Sequence, residues 1–324
     1  MNRLRVGVLM GGKSAEREVS LASGRRVLSA MSPARYEAIP LDVPPYGTWT
    51  PPPGLDLAFI AMHGPFGEDG SIQGLLEFAG VPYTGSGVLA SALAMDKRRS
   101  RQLFGFNGIP TPAYVWVDRR EFAGRESTLA GEVRQALGFP CVVKPNAQGS
   151  SIGVSIVRDE ERLGPAIDAA FGLDDVILIE EYLTGTELTC AILDDPGVGG
   201  PAALPLVEIV TKREFFDYEA KYTPGASDEI CPARLAPSAV WRAQAAALRA
   251  YRVLGCVDFA RVDLFVRETD VAVLEVNTIP GLTEGSLFPK AAAAAGIEFS
   301  TVIDRLIACT LRRAGRSPQG AQIA

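Results

Sequence analysis

Two apolar segments near the C-terminus, residues 259–267 and 271–277, carry the side chains best suited to chemistry, and only Glu268, Thr269 and Asp270 separate them. Folded as an antiparallel hairpin centred on Thr269, they set Asp263 opposite Glu275 and Arg261 opposite Asn277, with all four on one face. The other face reads Val262, Leu264 and Val266 against Val276, Leu274 and Ala272, an apolar layer suited to a core. Opposed carboxylates with Cβ atoms roughly 5 Å apart repel by about 3 kcal/mol at an effective dielectric of about 20. A cation removes that repulsion, and with the Asn277 oxygen the set suits Mg2+ shared with substrate phosphates. The competing reading is an ion pair from Arg261 to Glu275 or Asp263 on a wet sheet face.

Three other stretches carry reactive types. Lys144 ends an apolar strand, and the Gly/Ser loop 146–153 follows; such a loop can fold its amides over phosphates while the lysine adds a point charge. His63, the only histidine, closes a strand and opens the Gly-spaced run 63–70. No G-x-S-x-G elbow accompanies it, so serine hydrolysis is not indicated. Gly7, Gly12, Lys13 and Ser14 match G-x-x-x-x-G-K-[ST] literally, but Val8, Leu9 and Met10 continue the strand through what should be the loop. The turn Gly11-Gly12 instead delivers Glu16 and Ser20 to the carboxyl end of a sheet, where ligands gather. The strand ending at Glu180 can present backbone groups to an adenine edge.

These residues need a scaffold of alternating strands and helices. Strands over 3–10, 36–41 and 57–62, with helices over 15–31 and 71–79, predict a parallel α/β unit. The proline-rich segment 44–53 is a surface loop to which we attach no function. An amphipathic stretch, 88–106, leads to strands 113–117, 141–144, 154–157 and 176–180 and helices 121–137 and 160–171, an antiparallel α+β unit. Residues 185–210 give two strands joined through 196–200. The segment 212–231 has no clear period and reads as a lid or binding loop. A helix over 237–254, the hairpin and helices after Ser286 and Ser300 follow; the last ten residues read as frayed.

With 324 residues, 47% hydrophobic and 22% charged, the chain is ordinarily globular. A net charge of -6 argues against a nucleic-acid surface, and no apolar run reaches the ~20 residues that span a membrane. We expect a cytoplasmic protein without a signal peptide. Cys141, Cys190, Cys231, Cys256 and Cys309 are spread, odd in number and never spaced C-x-x-C, which reads as reduced packing residues.

Taken in order, Gly11 to Ser20, His63-Gly64 with Gly67 to Gly70, Pro82 to Gly87, Met95-Asp96-Lys97, Lys144-Pro145 with Gly149-Ser150-Ser151, Asp217 to Tyr222, and Glu275 to Thr278 with Pro280-Gly281 resemble the D-alanine:D-alanine ligase family of the ATP-grasp superfamily. The resemblance covers nearly the whole chain. It implies a three-domain fold: an N-terminal parallel α/β domain over 1–95, a central antiparallel α+β subdomain over 96–183 and a C-terminal α+β domain over 184–324. It further implies ATP held by Lys97, Lys144, Ser151, Glu180, Leu183, Glu187 and Lys221, with Mg2+, or Mn2+ in its place, on Asp263, Glu275 and Asn277. The γ-phosphoryl then passes to the carboxylate of a first D-alanine, and the amine of a second attacks the acyl phosphate, for peptidoglycan precursor synthesis.

In that scheme Glu16 pairs with the first ammonium and His63 lies near its carboxylate. Arg261 and the Gly281 amide stabilise the oxyanion, Ser286 and the Leu287 amide hold the second carboxylate, and Tyr222 bonds to Ser150 and Glu16 and closes the site. A homodimer is implied by analogy. Two positions depart from the family pattern: Glu284-Gly285, which opens the question of a wider or more acidic second pocket, and Asp258, for which the sequence offers no account. The alternative ligase reading joins D-alanine to another D-amino or D-hydroxy acid. A nucleotide-binding module without ligase activity would leave Glu16, Ser150, Tyr222 and Arg261 without a role.

Overall fold

In this computed structural model, the residues described are 3–316, except 123, 196, 198, 212–226 and 269. Three sheets follow one another along the chain. Strands β1 (Leu4–Gly11), β2 (Tyr36–Val43) and β3 (Leu57–Ile60) form a parallel sheet in the order β2-β1-β3. Their helices are α1 (Arg17–Ala30) and α2 (Ser71–Phe78). β1 runs unbroken through Gly7 to Met10, as expected, and then turns at Gly11 and Gly12, whose φ of 84° and 92° only glycine adopts freely. Lys13 stacks over the Phe66 ring, 5.0 Å from its centroid, so the phosphate-loop pattern is coincidental.

The stretch 88–106, expected as one amphipathic run, is two helices, α3 (Val88–Met95) and α4 (Lys97–Phe106). Asp96 between them takes extended backbone, and its carboxylate caps α4 by accepting from the Arg99 amide. Strands β4 (Tyr114–Asp118), β5 (Cys141–Pro145), β6 (Ser155–Val157) and β7 (Val176–Glu181) form an antiparallel sheet in the order β4-β7-β5-β6. Helices α5 (Arg119–Phe122), α6 (Glu126–Ala136) and α7 (Leu163–Phe171) accompany it. The helix expected over 121–137 is split into α5 and α6, with Gly124 at φ 97° between them.

The third sheet contains β8 (Thr186–Asp195), β9 (Gly200–Ala203), β10 (Val207–Thr211), β11 (Ser227–Ile230), β12 (Phe259–Arg267) and β13 (Asp270–Asn277), in the order β11-β10-β8-β12-β13 with β9 beside β8. The two strands expected over 185–210 are therefore three. β11 lies inside the segment read as a loop, because Glu208 to Thr211 offer it an antiparallel edge. Helices α8 (Pro237–Leu254), α9 (Leu287–Ala294) and α10 (Phe299–Arg313) complete the chain.

The parallel and third sheets share one core, in which Val8 and Phe59 meet Phe259, Phe288 and Ile303, while the central sheet closes its own around Val117, Cys141 and Ile179. All five cysteines are free. Asp258 has a structural account: at φ 66° and 1% exposure it accepts from the Gly85 amide (2.8 Å) and pairs with Arg313. It thereby ties the 83–87 loop and α10 to the foot of β12.

Candidate functional site

The hairpin pairs as the alternation predicts at its functional end: Arg261 opposite Asn277, Val262 opposite Val276 and Asp263 opposite Glu275. Beyond Asp263 the register slips by one, so Leu264 faces Val273 and Val266 faces Val271, not Leu274 and Ala272. A bulge that takes one extra residue turns the following side chain over. Val271, Val273 and Val276 consequently form the buried face, while Leu274 joins Glu275 on the wall of the cleft.

The cleft has a volume of about 890 Å³ and lies between the three sheets. Glu16, His63, Lys97, Lys144, Ser150, Ser151, Glu180, Leu183, Glu187, Arg261, Asp263, Glu275, Asn277, Gly281, Ser286 and Leu287 all line it. Lys221 and Tyr222 lie outside the described residues. Val142, Val154, Ile156, Leu183, Phe265 and Leu274 supply an apolar slot between the central and third sheets, of a kind that takes a planar ring.

Both readings of the acidic face hold parts of the geometry. The Arg261 guanidinium forks onto Asp263, with Nε and Nη2 each at 2.8 Å, and Thr189 Oγ1 donates to Asp263 Oδ1 at 2.7 Å. Asn277 Nδ2 donates to Asp263 Oδ2 at 3.1 Å, and Lys97 Nζ lies 3.3 Å from Glu275 Oε2. Burial opposes the charge on Arg261, yet Asp263 outweighs it and raises the guanidinium pKa. Asp263 and Glu275, opposed across the hairpin with the Asn277 amide beside them and partly covered by cations, offer the hard-oxygen donors that Mg2+ takes.

Across the cleft, the loop after Lys144 is held from several sides. Ser150 and Ser151 both adopt left-handed backbone, φ 52° and 57°, a conformation uncommon outside glycine. Ser150 Oγ donates to Glu16 Oε1. Lys97 Nζ donates to the Gln148 carbonyl at 2.7 Å, and the amide of Arg98 donates to Asn146 Oδ1 at 2.7 Å. Lys144 Nζ sits 2.6 Å from Glu180 Oε2; burial lowers the lysine pKa, and Glu180 works in the other direction.

His63 is 4% exposed, and burial lowers its pKa, so the neutral ring is favoured. Its Nδ1 is 3.0 Å from the Ile279 carbonyl, which only accepts, so the proton is on Nδ1 and Nε2 accepts from Ser23 Oγ at 2.9 Å. Both ring nitrogens are thus engaged, and the ring ties α1 to the segment after β13. Glu68, legible in the sequence only as part of a motif, also lines the cleft; burial foremost, and Glu16 next, push its carboxyl up to about 8. A carboxylate a few residues after His63 in a Gly-spaced turn was the available signal.

At the far end, a Cβ on Gly281 would stand 2.7 Å from Ser286 Oγ, so a side chain there would displace that hydroxyl. Thr283 donates its amide to Ser286 Oγ at 3.1 Å, and Ser286 opens α9. Glu284 is exposed and absent from the cleft wall, whereas Gly285 lines it with open space where a Cβ would be. Among the described residues, Gly285 leaves open space at this end of the cleft and Glu284 is not part of its wall.

Comparison with known proteins identifies the family. The family described as D-ala D-ala ligase C-terminus matches residues 103–308, and that described as D-ala D-ala ligase N-terminus matches 5–54 and 51–86. A D-alanine–D-alanine ligase of Desulforudis audaxviator is 50% identical over 305 residues, covering 94% of this chain and 97% of the relative. The solved D-alanine–D-alanine ligase of Bacillus anthracis complexed with ATP has a TM-score of 0.80 at 34% identity, covering 96% of this chain and 99% of that one. The VanG D-Ala:D-Ser ligase of Enterococcus faecalis has a TM-score of 0.83 at 32% identity, covering 95% and 100%.

Proposed function

This chain belongs to the D-alanine–D-alanine ligase family, and from that premise we propose how its residues join two D-alanine molecules with ATP. The reaction is the ATP-dependent ligation of D-alanine to D-alanine for cell-wall synthesis. What supports this division of roles is the opposition, across one cleft, of the Glu16–Ser150 pair and the Lys144 loop to the acidic face of the hairpin.

Lys144, Lys97 and the amides of the 149–153 turn bind the ATP phosphates, and the apolar slot beside Leu183 takes the base; Glu187, which lines the same cleft, and Lys221, on the family resemblance alone, complete the ATP-binding set. Asp263, Glu275 and Asn277 would hold Mg2+, or Mn2+ in its place. When bound, the ion supplies positive charge to the phosphate oxygens. Lys97 rests on Glu275 and Arg261 on Asp263, which keeps both cations on the cleft wall where substrate would lie. Glu16 pairs with the ammonium of the first D-alanine, whose carboxylate, near His63, takes the γ-phosphoryl group of ATP with release of ADP and becomes an acyl phosphate. Ser286 and the Leu287 amide at the start of α9 hold the second carboxylate. The second amine, once deprotonated, attacks the acyl carbon; Arg261 and the Gly281 amide stabilise the resulting oxyanion, and phosphate leaves. Tyr222 joins Ser150 and Glu16 to exclude water.

Gly285 favours a second reading, in which the second substrate is another D-amino or D-hydroxy acid. Phosphate release from Mg-ATP with D-alanine, with L-alanine and with D-alanine plus D-lactate separates the two. Turnover with D-alanine alone supports the dipeptide; turnover only with D-lactate present supports the alternative, and none with either overturns the dipeptide and the D-lactate form of the alternative.

The protein acts in the cytoplasm, where ATP is available; among the described residues no helix is long and apolar enough to cross a membrane. A homodimer is supported by the exposed apolar patch of α2 and α3, where Phe78 is 94% and Leu89 71% exposed.

A further inference from the structure

Arg101 has no part in the chemistry above, yet its side chain is fully buried. A buried guanidinium is tolerated only where its donors are matched, and an apolar side chain of the same size would fill the space without desolvating a charge. Its partners lie on both walls of the cleft. Nε donates to the Leu274 carbonyl at 3.0 Å, Nη1 donates to Thr111 Oγ1 at 2.5 Å, and Nη2 is paired by charge with Glu180 Oε1 at 2.5 Å, outside hydrogen-bond geometry. The second oxygen of Glu180 holds Lys144 Nζ at 2.6 Å. Leu274 sits at the register slip of the hairpin, immediately before Glu275. One turn earlier on the same face of α4, Lys97 reaches Glu275 and the Gln148 carbonyl.

We propose that Arg101 is a positioning residue for the nucleotide. By gripping Glu180 on the central sheet and the bulged Leu274 carbonyl on the hairpin, it fixes Lys144 relative to Glu275 and sets the width of the slot between them. A phosphate chain held by a lysine on one wall and by metal-binding carboxylates on the other is sensitive to that width, since displacement of about 1 Å can cost on the order of a hundredfold in rate. The proposal rests on the nucleotide reading of the cleft. It also gives Glu180 a definite role, since its carboxylate orients Lys144.

The test uses full-length Arg101→Lys and Arg101→Met, with KM for ATP and KM for D-alanine measured separately and the melting temperature followed. Lysine keeps the charge for Glu180 but, with one compact head, cannot also serve Leu274 and Thr111. The expected result for Arg101→Lys is a KM for ATP raised about tenfold, as for loss of one charge-assisted hydrogen bond, with KM for D-alanine within about twofold. Arg101→Met should raise KM for ATP further, so that lysine is a partial rescue. An unchanged KM for ATP in a folded variant overturns the proposal. So does a parallel rise in both KM values with a fall in melting temperature, which marks a purely structural residue. Should Arg101→Met not fold, Arg101→Lys decides alone. Failure of the wild-type protein to turn over D-alanine would count against the ligase reading instead.

Discussion

Glu68 should make the stability of the ligand-free protein depend on pH in a way that one substitution removes. Its carboxyl, 8% exposed beside Glu16, is raised by burial from 4.5 to about 8. A carboxyl whose folded pKa is raised contributes fully below its unfolded pKa, and that contribution is lost as pH rises through the folded value. The window is therefore about pH 4.5 to 8. At 1.36 kcal/mol per unit the full shift corresponds to about 5 kcal/mol, an upper bound, and a relaxed cleft should give about 2 to 4. Glu68→Gln keeps the shape and the neutral form but cannot ionise when unfolded. Urea unfolding of both proteins between about pH 5 and 8.5 should show nearly equal stability at the acid end and a growing advantage for the variant up to about pH 8, where it levels. Curves that stay parallel would show that Glu68 is ionised in the folded protein and refute the reasoning.

Arg261→Ala should lower kcat by about a hundredfold or more while KM for ATP changes little, since the guanidinium is assigned to the oxyanion; comparable losses in both would move Arg261 to the nucleotide. Asp258→Ala should destabilise by about 2 kcal/mol in urea unfolding, because it leaves the buried Gly85 amide without its acceptor and takes the carboxylate from Arg313; a loss below about 1 kcal/mol would show that the tie is slack. Phe78→Ser with Leu89→Ser should shift sedimentation toward the monomer, and an unchanged dimer would place the interface elsewhere.

How far the sequence could be read depended on how local each signal is. A register centred on Thr269 placed Arg261, Asp263, Glu275 and Asn277 on one face, and it holds there only because the bulge at Leu274 offsets the actual pairing beside the turn, where Arg267 faces Asp270. The slip after Asp263 had no signature in residue type, and it exchanged Leu274 for Val273 in the core. The Gly/Ser loop after Lys144 was legible as a phosphate cradle, but not its ties to Glu16, Lys97 and Arg98, which come from elements far apart in the chain. Arg101 looked like any charge on an amphipathic helix; only tertiary packing makes it the buried link between two walls. The break at Asp96 was readable as a cap and was obscured by the apolar period on either side. Family resemblance carried what spacing could not, namely the assignment of Glu16, Ser286 and Tyr222 to substrates.

The central claim is that the first D-alanine is activated through its carboxylate on the hairpin side of the cleft. D-alanine carrying heavy oxygen in its carboxylate, turned over with Mg-ATP, tests it most directly by mass analysis of the released phosphate. The account predicts one labelled oxygen in each phosphate formed, because the acyl phosphate leaves with an oxygen of the first carboxylate. Phosphate without label, formed together with dipeptide, would contradict it.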